Sequence, residues 1–196
     1  GALDVGSLAR LALEVRPGLR VLTGIAKAER WPEIRGAALE RVLRVCRGLA
    51  DAVVVDVGFA LEDDEELSYD TQAPRRNQAT LTALQEADAA LAVGGCDPVS
   101  LQRLVRGLQE LGTVRAPEPL VVVNRLRASA VGSPAAQRVA DALSRFAGVS
   151  DLHTIPDDPA AFDAALFAGR ALAEILPASP ARRAIAELAA GLAGQL

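Results

Sequence analysis

The chain has 196 residues, 51% hydrophobic and 23% charged, with a formal net charge of -4. That is enough apolar material to close a core and too little charge for a disordered chain, so a single α/β domain over residues 1–196 is expected. The mild acidity and the 3% aromatic content argue against a nucleic-acid binder, which needs clustered positive charge and stacking rings, and no apolar run reaches the roughly 20 residues that span a bilayer.

In chain order, the apolar runs expected as strands are residues 19–23, 52–57, 89–94, 120–124 and 152–155. They do not alternate in polarity, as expected for strands buried on both faces of a parallel sheet. Helical periods lie between them. After Pro32, Leu39, Val42, Leu43, Cys46 and Leu49 share one stripe, and Leu101, Leu104, Val105, Leu108 and Leu111 share another. Asp97-Pro98, Ser133-Pro134, Asp158-Pro159 and Ser179-Pro180 each put a capping side chain before a proline in a first helical turn. The last 40 or so residues read as helix with a break at 176–180. The pattern predicts a doubly wound, mostly parallel sheet with helices on both faces. In such folds ligands bind beyond the carboxyl ends of the strands.

Cys46, Cys96 and the single histidine, His153, make neither a disulfide framework nor a metal-ligand spacing, and a Ser-His-Asp triad has almost nothing to draw on. A reduced, cytoplasmic protein is therefore expected. The chemistry is sought at the strand ends. Val53-Val54-Val55-Asp56-Val57-Gly58 is a hydrophobic run closing on an aspartate, the arrangement in which a carboxylate holds Mg²⁺ opposite a triphosphate. An aspartate that simply caps the following loop fits the same residues. Val121-Val122-Val123-Asn124-Arg125 ends in an amide that can pair with a base edge or form an Asn-turn. Ile155-Pro156-Asp157-Asp158 is a strand running into a turn that caps the next helix. Between Gly58 and Pro74 lies a long loop with the acidic run Glu62-Asp63-Asp64-Glu65-Glu66. A loop of that length is either functional or simply solvated.

Taken in order, these pieces resemble the later part of the MinD/ParA-type P-loop ATPases, and within them the CpaE-like proteins found beside pilus and secretion ATPases. The resemblance is carried by Val53 to Gly58, Ala87-Asp88-Ala89, Gly95-Cys96-Asp97-Pro98-Val99-Ser100-Leu101, Val123-Asn124-Arg125, Ile155-Pro156-Asp157-Asp158, Ala168-Gly169-Arg170-Ala171-Leu172 and Pro177-Ala178-Ser179-Pro180. It implies a SIMIBI-type P-loop NTPase fold, N-terminally truncated. Asp56 would be the Walker B carboxylate, acting on Mg²⁺ through water, and Gly58 the phosphate-sensing glycine. Asn124, with Arg125 beside it, would face adenine, and Pro156 and Asp157 would sit in the loop closing over the base. ATP and Mg²⁺ would be the cofactors of the intact protein, which would work as a homodimer with pilus or secretion machinery as partners. Peripheral attachment at the inner membrane face is compatible with this. DNA binding has only Arg182-Arg183 to rest on, which a solvated helix face explains equally well. A receiver domain, with Asp56 as phosphoacceptor, lacks its acidic pair and its lysine.

One departure is large. The sole lysine, Lys27, stands in Gly24-Ile25-Ala26-Lys27-Ala28, and no G-x-x-x-x-G-K-[ST] can be drawn. Without that phosphate cradle this chain alone is expected to bind ATP weakly or not at all. The chain is then either a piece of a longer ATPase, which the absence of any Met, position 1 included, favours, or a degenerate relative that has lost nucleotide binding and localises a pilus or secretion machine as a non-enzymatic scaffold. Two family strands would then be lacking from mid-sheet. Dimerisation through the open edges, an upstream segment, or direct pairing of 52–57 with 89–94 would fill the place, closure or dimerisation being expected over an empty slot.

Overall fold

Val121, Val122 and Val123 are all buried in the computed structural model, and they explain the layering of the second half of the chain. Successive strand side chains point to opposite faces, so a run buried throughout needs cover above and below. Val121 and Val123 join Leu104, Val139 and Leu143 on one side, while Val122 joins Ile155, Ala181 and Leu188 on the other. The structure describes residues 3–62 and 76–194, and the chain forms two units, Gly1–Ala87 and Asp88–Leu196.

In the first unit, α1 (Val5–Leu11) starts where the Asp4 carboxylate accepts the Ser7 N–H at 2.7 Å. Strands β1 (Leu13–Arg16) and β2 (Leu19–Val21) form an antiparallel hairpin, turning at Pro17-Gly18, where Gly18 has φ 79. A 3₁₀ turn (Ala28–Glu33) leads to α2 (Gly36–Cys46), and α3 (Gln78–Gln85) packs against α2, as does α1. Two expectations are corrected here. Residues 19–23 are not a buried parallel strand: β2 is an exposed arm of a local hairpin. Residues 52–57 join no ladder among the described residues, and Val54 is 94% exposed. An apolar run becomes a strand only where a neighbour satisfies its main-chain groups. Among the described residues of this unit, the β1–β2 ladder is closed within the hairpin and offers 52–57 no partner.

The second unit runs β3 (Ala90–Gly95), α4 (Pro98–Leu111), β4 (Pro119–Leu126), α5 (Ala128–Val131), α6 (Ala135–Ala147), β5 (Leu152–Pro156), α7 (Pro159–Ala168), α8 (Leu172–Ile175) and α9 (Pro180–Ala193). Its three strands are parallel in the order β3-β4-β5. The expected direct pairing of 52–57 with 89–94 is not formed, since the only partner of β3 among the described residues is β4. Helices α4 and α6 cover one face through Leu104, Val139 and Leu143, and α9 covers the other through Ala181 and Leu188. This is the α/β sheet with helices on both faces that the sequence predicts.

The proline-marked helix starts divide. Asp97 caps α4 with its side chain and Ser179 caps α9. Ser133 does not cap: α6 starts at Ala135 without a side-chain cap, and Ser133 offers its carbonyl to Arg138 Nε at 3.2 Å. Asp158 makes no cap bond for α7 because its carboxylate is turned to Ser179, whose hydroxyl donates to it at 2.6 Å. The same Ser179 oxygen accepts the Arg182 N–H at 3.3 Å. Buried Ser179 therefore ties the starts of α7 and α9 together. Ser179→Ala is expected to cost about 1–3 kcal/mol, the sum of a lost cap and a lost bond to a carboxylate. Urea unfolding measures it, and a loss within the ~0.5 kcal/mol typical of surface changes would show that neither bond matters.

Candidate functional site

A cleft of about 340 Å³ opens at the carboxyl ends of β3 and β4, the position where doubly wound sheets bind ligands. Its volume lies at the low end of the ~300–1,000 Å³ usual for small-molecule sites. One wall is Gly94, Gly95 and Cys96 with the first turn of α4; the other is Asn124, Arg125 and Arg127. The register sets Gly95 beside Asn124 and Gly94 beside Val123, so the two strands end level and their last residues share the opening.

Asn124 is half-buried. Its Oδ1 accepts the N–H of Arg125 at 2.8 Å, which commits the carbonyl half of the amide and leaves the NH₂ half to donate. Arg125 has φ 54, the left-handed region that a side chain rarely occupies. There the chain leaves the ladder: the β4–β5 register is irregular between Val123 and Leu126 and resumes as Leu126 against Pro156. The Asp157 N–H then donates to the Leu126 carbonyl at 3.0 Å, and Asp157 faces Arg127 at 3.6 Å. The structure thus sets Pro156 and Asp157 against Leu126 and Arg127 at adjoining strand ends, while Asn124 and Arg125 line the cleft, whose lining does not include Pro156 or Asp157. Asp56 and Gly58 belong to the other unit. Asp56 is exposed there, and Gly58 lies near the Thr80 hydroxyl. The acidic residues 63–66 and Arg75 fall outside the described residues; Glu62 accepts a bond from Asn77 Nδ2 at 2.8 Å through its carbonyl.

Among the described residues no group of three or more His, Cys, Asp or Glu could hold a metal. Mg²⁺ keeps several waters and takes one or two protein carboxylates plus phosphate oxygens. A single exposed Asp56 therefore fits that ion only alongside a phosphate chain. For the phosphates themselves the fit fails. Lys27 is solvent-exposed and faces Glu29 at 3.8 Å, and no glycine-rich lysine loop exists in the sequence. For a purine the fit is better, since the Asn124 NH₂ can donate to a ring nitrogen.

Asp97 shapes the cleft floor. Its carboxylate accepts the Ser100 hydroxyl at 2.7 Å and the Ser100 N–H at 3.1 Å. These bonds, the hydroxyl foremost, hold the Asp97 carboxyl below the ordinary carboxylate range. A depressed folded value means stability that is present above the unfolded pKa of about 3.9 and lost as pH falls through the folded one. Melting temperature followed from roughly pH 5 to pH 2 should therefore fall less steeply in Asp97→Asn than in the parent chain. Parallel curves would mean that Asp97 carries no such linkage.

The sequence carries no motif that marks Arg127. Only its place two residues beyond Arg125, where the strand gives out, hints at it.

No protein-family model matches the chain, and no curated protein matches it. Among solved structures it is similar to a ParA family ATPase from Chlorobium tepidum TLS, with a TM-score of 0.75 at 17% identity over 95% of this chain and 70% of that one. It is also similar to the MinD cell division protein of Aquifex aeolicus, with a TM-score of 0.62 at 20% identity over 98% of this chain and 75% of that one. At such identities the likeness is one of fold: the chain has the α/β fold of the MinD/ParA P-loop NTPases.

Proposed function

We propose that this chain supplies the base-recognising side of a nucleotide site in a ParA/MinD-like positioning ATPase. The observation that supports it is the cleft at the ends of β3 and β4, into which the half-buried Asn124 brings an amide whose oxygen is already engaged. Asn124 and Arg125 would meet the adenine, and Pro156 and Asp157 would form the loop over it. With a phosphate-cradling loop supplied, ATP and Mg²⁺ are the cofactors, Asp56 acts on the ion through water, and Gly58 senses the terminal phosphate. On this reading nucleotide drives homodimerisation, and the dimer localises a pilus or secretion machine, or a septum or partition apparatus. It does so in the cytoplasm or at the inner membrane face. Among the described residues no helix is long and apolar enough to cross a membrane.

Titration with AMP, followed by amide chemical shifts, tests the base site. Shifts are expected at Asn124, Arg125 and Asp157, and AMP is expected to bind more tightly than GMP. No shift at these residues at millimolar AMP would overturn the reading. Calorimetry with Mg-ATP is expected to show weak binding or none, because the phosphates lack their cradle. A micromolar dissociation constant would overturn that expectation.

A second reading is favoured by the missing cradle together with the segment that carries Asp56, which joins no ladder among the described residues. In it the same fold acts as a non-enzymatic scaffold that localises its machine without nucleotide. The AMP titration separates the two.

A further inference from the structure

We infer that Arg127 is the positioning residue of this cleft, clamping the end of β4 to the end of β5 and thereby fixing the Asn124 amide beside the Asp157 loop. The functional consequence rests on the base-binding reading above; the clamp itself does not.

The starting point is the left-handed conformation of Arg125. A side-chain-bearing residue stays in such a region when its surroundings over-determine it, and here they do. The Arg125 N–H is held by Asn124 Oδ1 at 2.8 Å. The Arg125 carbonyl accepts from Arg127 Nη1 at 3.2 Å and from the buried Cys96 thiol at 3.1 Å. Both main-chain groups of Arg125 are thus bonded to neighbours at this bend, although the residue itself is exposed. Cys96 brings in the end of β3, so all the bonds converge on one residue, on the two peptide groups that flank its Cα.

The other arm of the clamp runs to β5. The same Nη1 lies 3.6 Å from Asp157 Oδ2, and the Asp157 N–H is bonded to the Leu126 carbonyl at 3.0 Å. One guanidinium therefore spans a carbonyl at the end of β4 and a carboxylate at the end of β5. Nη1 carries two hydrogens in the guanidinium plane, so this one nitrogen can face the carbonyl and the carboxylate together, and the planar group holds those directions more firmly than a lysine ammonium on its flexible stem. The pair is only partly shielded, at 40% and 26% side-chain exposure, so its contribution is one of geometry more than of stability. Fixing the bend at Arg125 matters because Asn124 is bonded to it: if the Arg125 peptide turns, the Asn124 oxygen loses its partner and the amide no longer presents a defined donor.

Amide hydrogen exchange by NMR on the chain as it stands tests the clamp. In Arg127→Ala, exchange at the Arg125 and Asp157 N–H groups is expected to accelerate on the order of tenfold, the size of one hydrogen bond and one part-exposed ion pair. Arg127→Lys should restore part of this, and Arg106→Ala, at an exposed arginine on α4, should change nothing there. Unchanged exchange at Arg125 and Asp157 in Arg127→Ala overturns the inference, whatever nucleotides do. Should that variant fail to fold, Asp157→Asn breaks one arm alone and is expected to accelerate exchange at its own N–H. The functional half is read from the ratio of AMP to GMP affinity, which should fall in Arg127→Ala and partly recover in Arg127→Lys. Accelerated exchange with an unchanged ratio would reduce Arg127 to a structural tie and overturn its positioning role. If the parent chain binds no AMP while exchange responds as expected, the base-binding reading fails and the clamp stands.

Discussion

Leu143→Ala is expected to lower the unfolding free energy by about 2–5 kcal/mol, the range for emptying a fully buried leucine site. Leu143 is 0% exposed, as are Val139 one turn earlier on α6 and Val123 on β4. Its neighbours in the cluster come from the sheet and from α4 as well as α6, so no single element can move in to fill the space. The cost should therefore include the cavity as well as the lost transfer energy. Urea unfolding with an unchanged slope would report a loss of stability rather than a change in compactness. A loss below about 1 kcal/mol would mean that the helix relaxes onto the sheet, contrary to the close packing seen. The effect should also reach the cleft. Val123, which packs in the same cluster, directly precedes Asn124 in the chain, and Leu126 and Val131 beyond it lean on that cluster too. Broadening of the Asn124 and Arg125 amide signals in Leu143→Ala would show that the strand end depends on the core beneath it.

Much of the second unit can be read from residue order, since an unbroken apolar run marks each strand, although only β4 is buried on both faces: Leu91 and Val93 of β3 are 42% and 58% exposed. The runs at 89–94, 120–124 and 152–155 lack alternation, and they are β3, β4 and β5 within a residue or two. Asp97-Pro98 and Ser179-Pro180 cap as their side chains suggest. Ser133-Pro134 carries the same signal, but there the serine lends its main-chain carbonyl to Arg138 instead. The run at 52–57 is as apolar as any of the others. It joins no ladder among the described residues, and pairing is not a local property of sequence. Residues 19–23 depart from the parallel-strand expectation for the opposite reason: Pro17-Gly18 just before them is a turn signal, and it makes a local hairpin. At the site, the strand-end position of Asn124, Arg125, Pro156 and Asp157 could be inferred because it follows from where the apolar runs stop. Arg127 and Cys96 could not be assigned in this way. Their role is to bond the Arg125 carbonyl, which is orphaned only because the chain bends there, and nothing in residues 120–127 announces a left-handed turn at an arginine.

Gly94→Ala is expected to destabilise the chain by about 1–3 kcal/mol, the usual cost of overfilling a packed core. A Cβ at Gly94 would lie 2.9 Å from Leu104 Cβ and Cδ2 and 3.2 Å from Cγ. Leu104 is buried on α4, and its Cβ is fixed to the helix backbone, so the clash cannot be relieved by swinging a side-chain tip. The helix itself must retreat from β3. Gly95 meets the same wall one residue on, with Ser100 Cβ and Oγ each 2.9 Å from an added Cβ. The opposing term is the gain of about 0.4–1 kcal/mol from stiffening the unfolded chain, which is too small to offset the clash. Because the first turn of α4 carries Asp97 and Ser100, its displacement should also widen the cleft and move the Ser100 and Asn124 amide resonances. Leu104→Ala removes Cγ and Cδ2 but keeps Cβ, so the double variant should lose less stability than the two single losses added together, as expected for residues in contact. A Gly94→Ala chain as stable as its parent, or a double variant that is strictly additive, would show that the glycine is not there to let α4 approach the sheet.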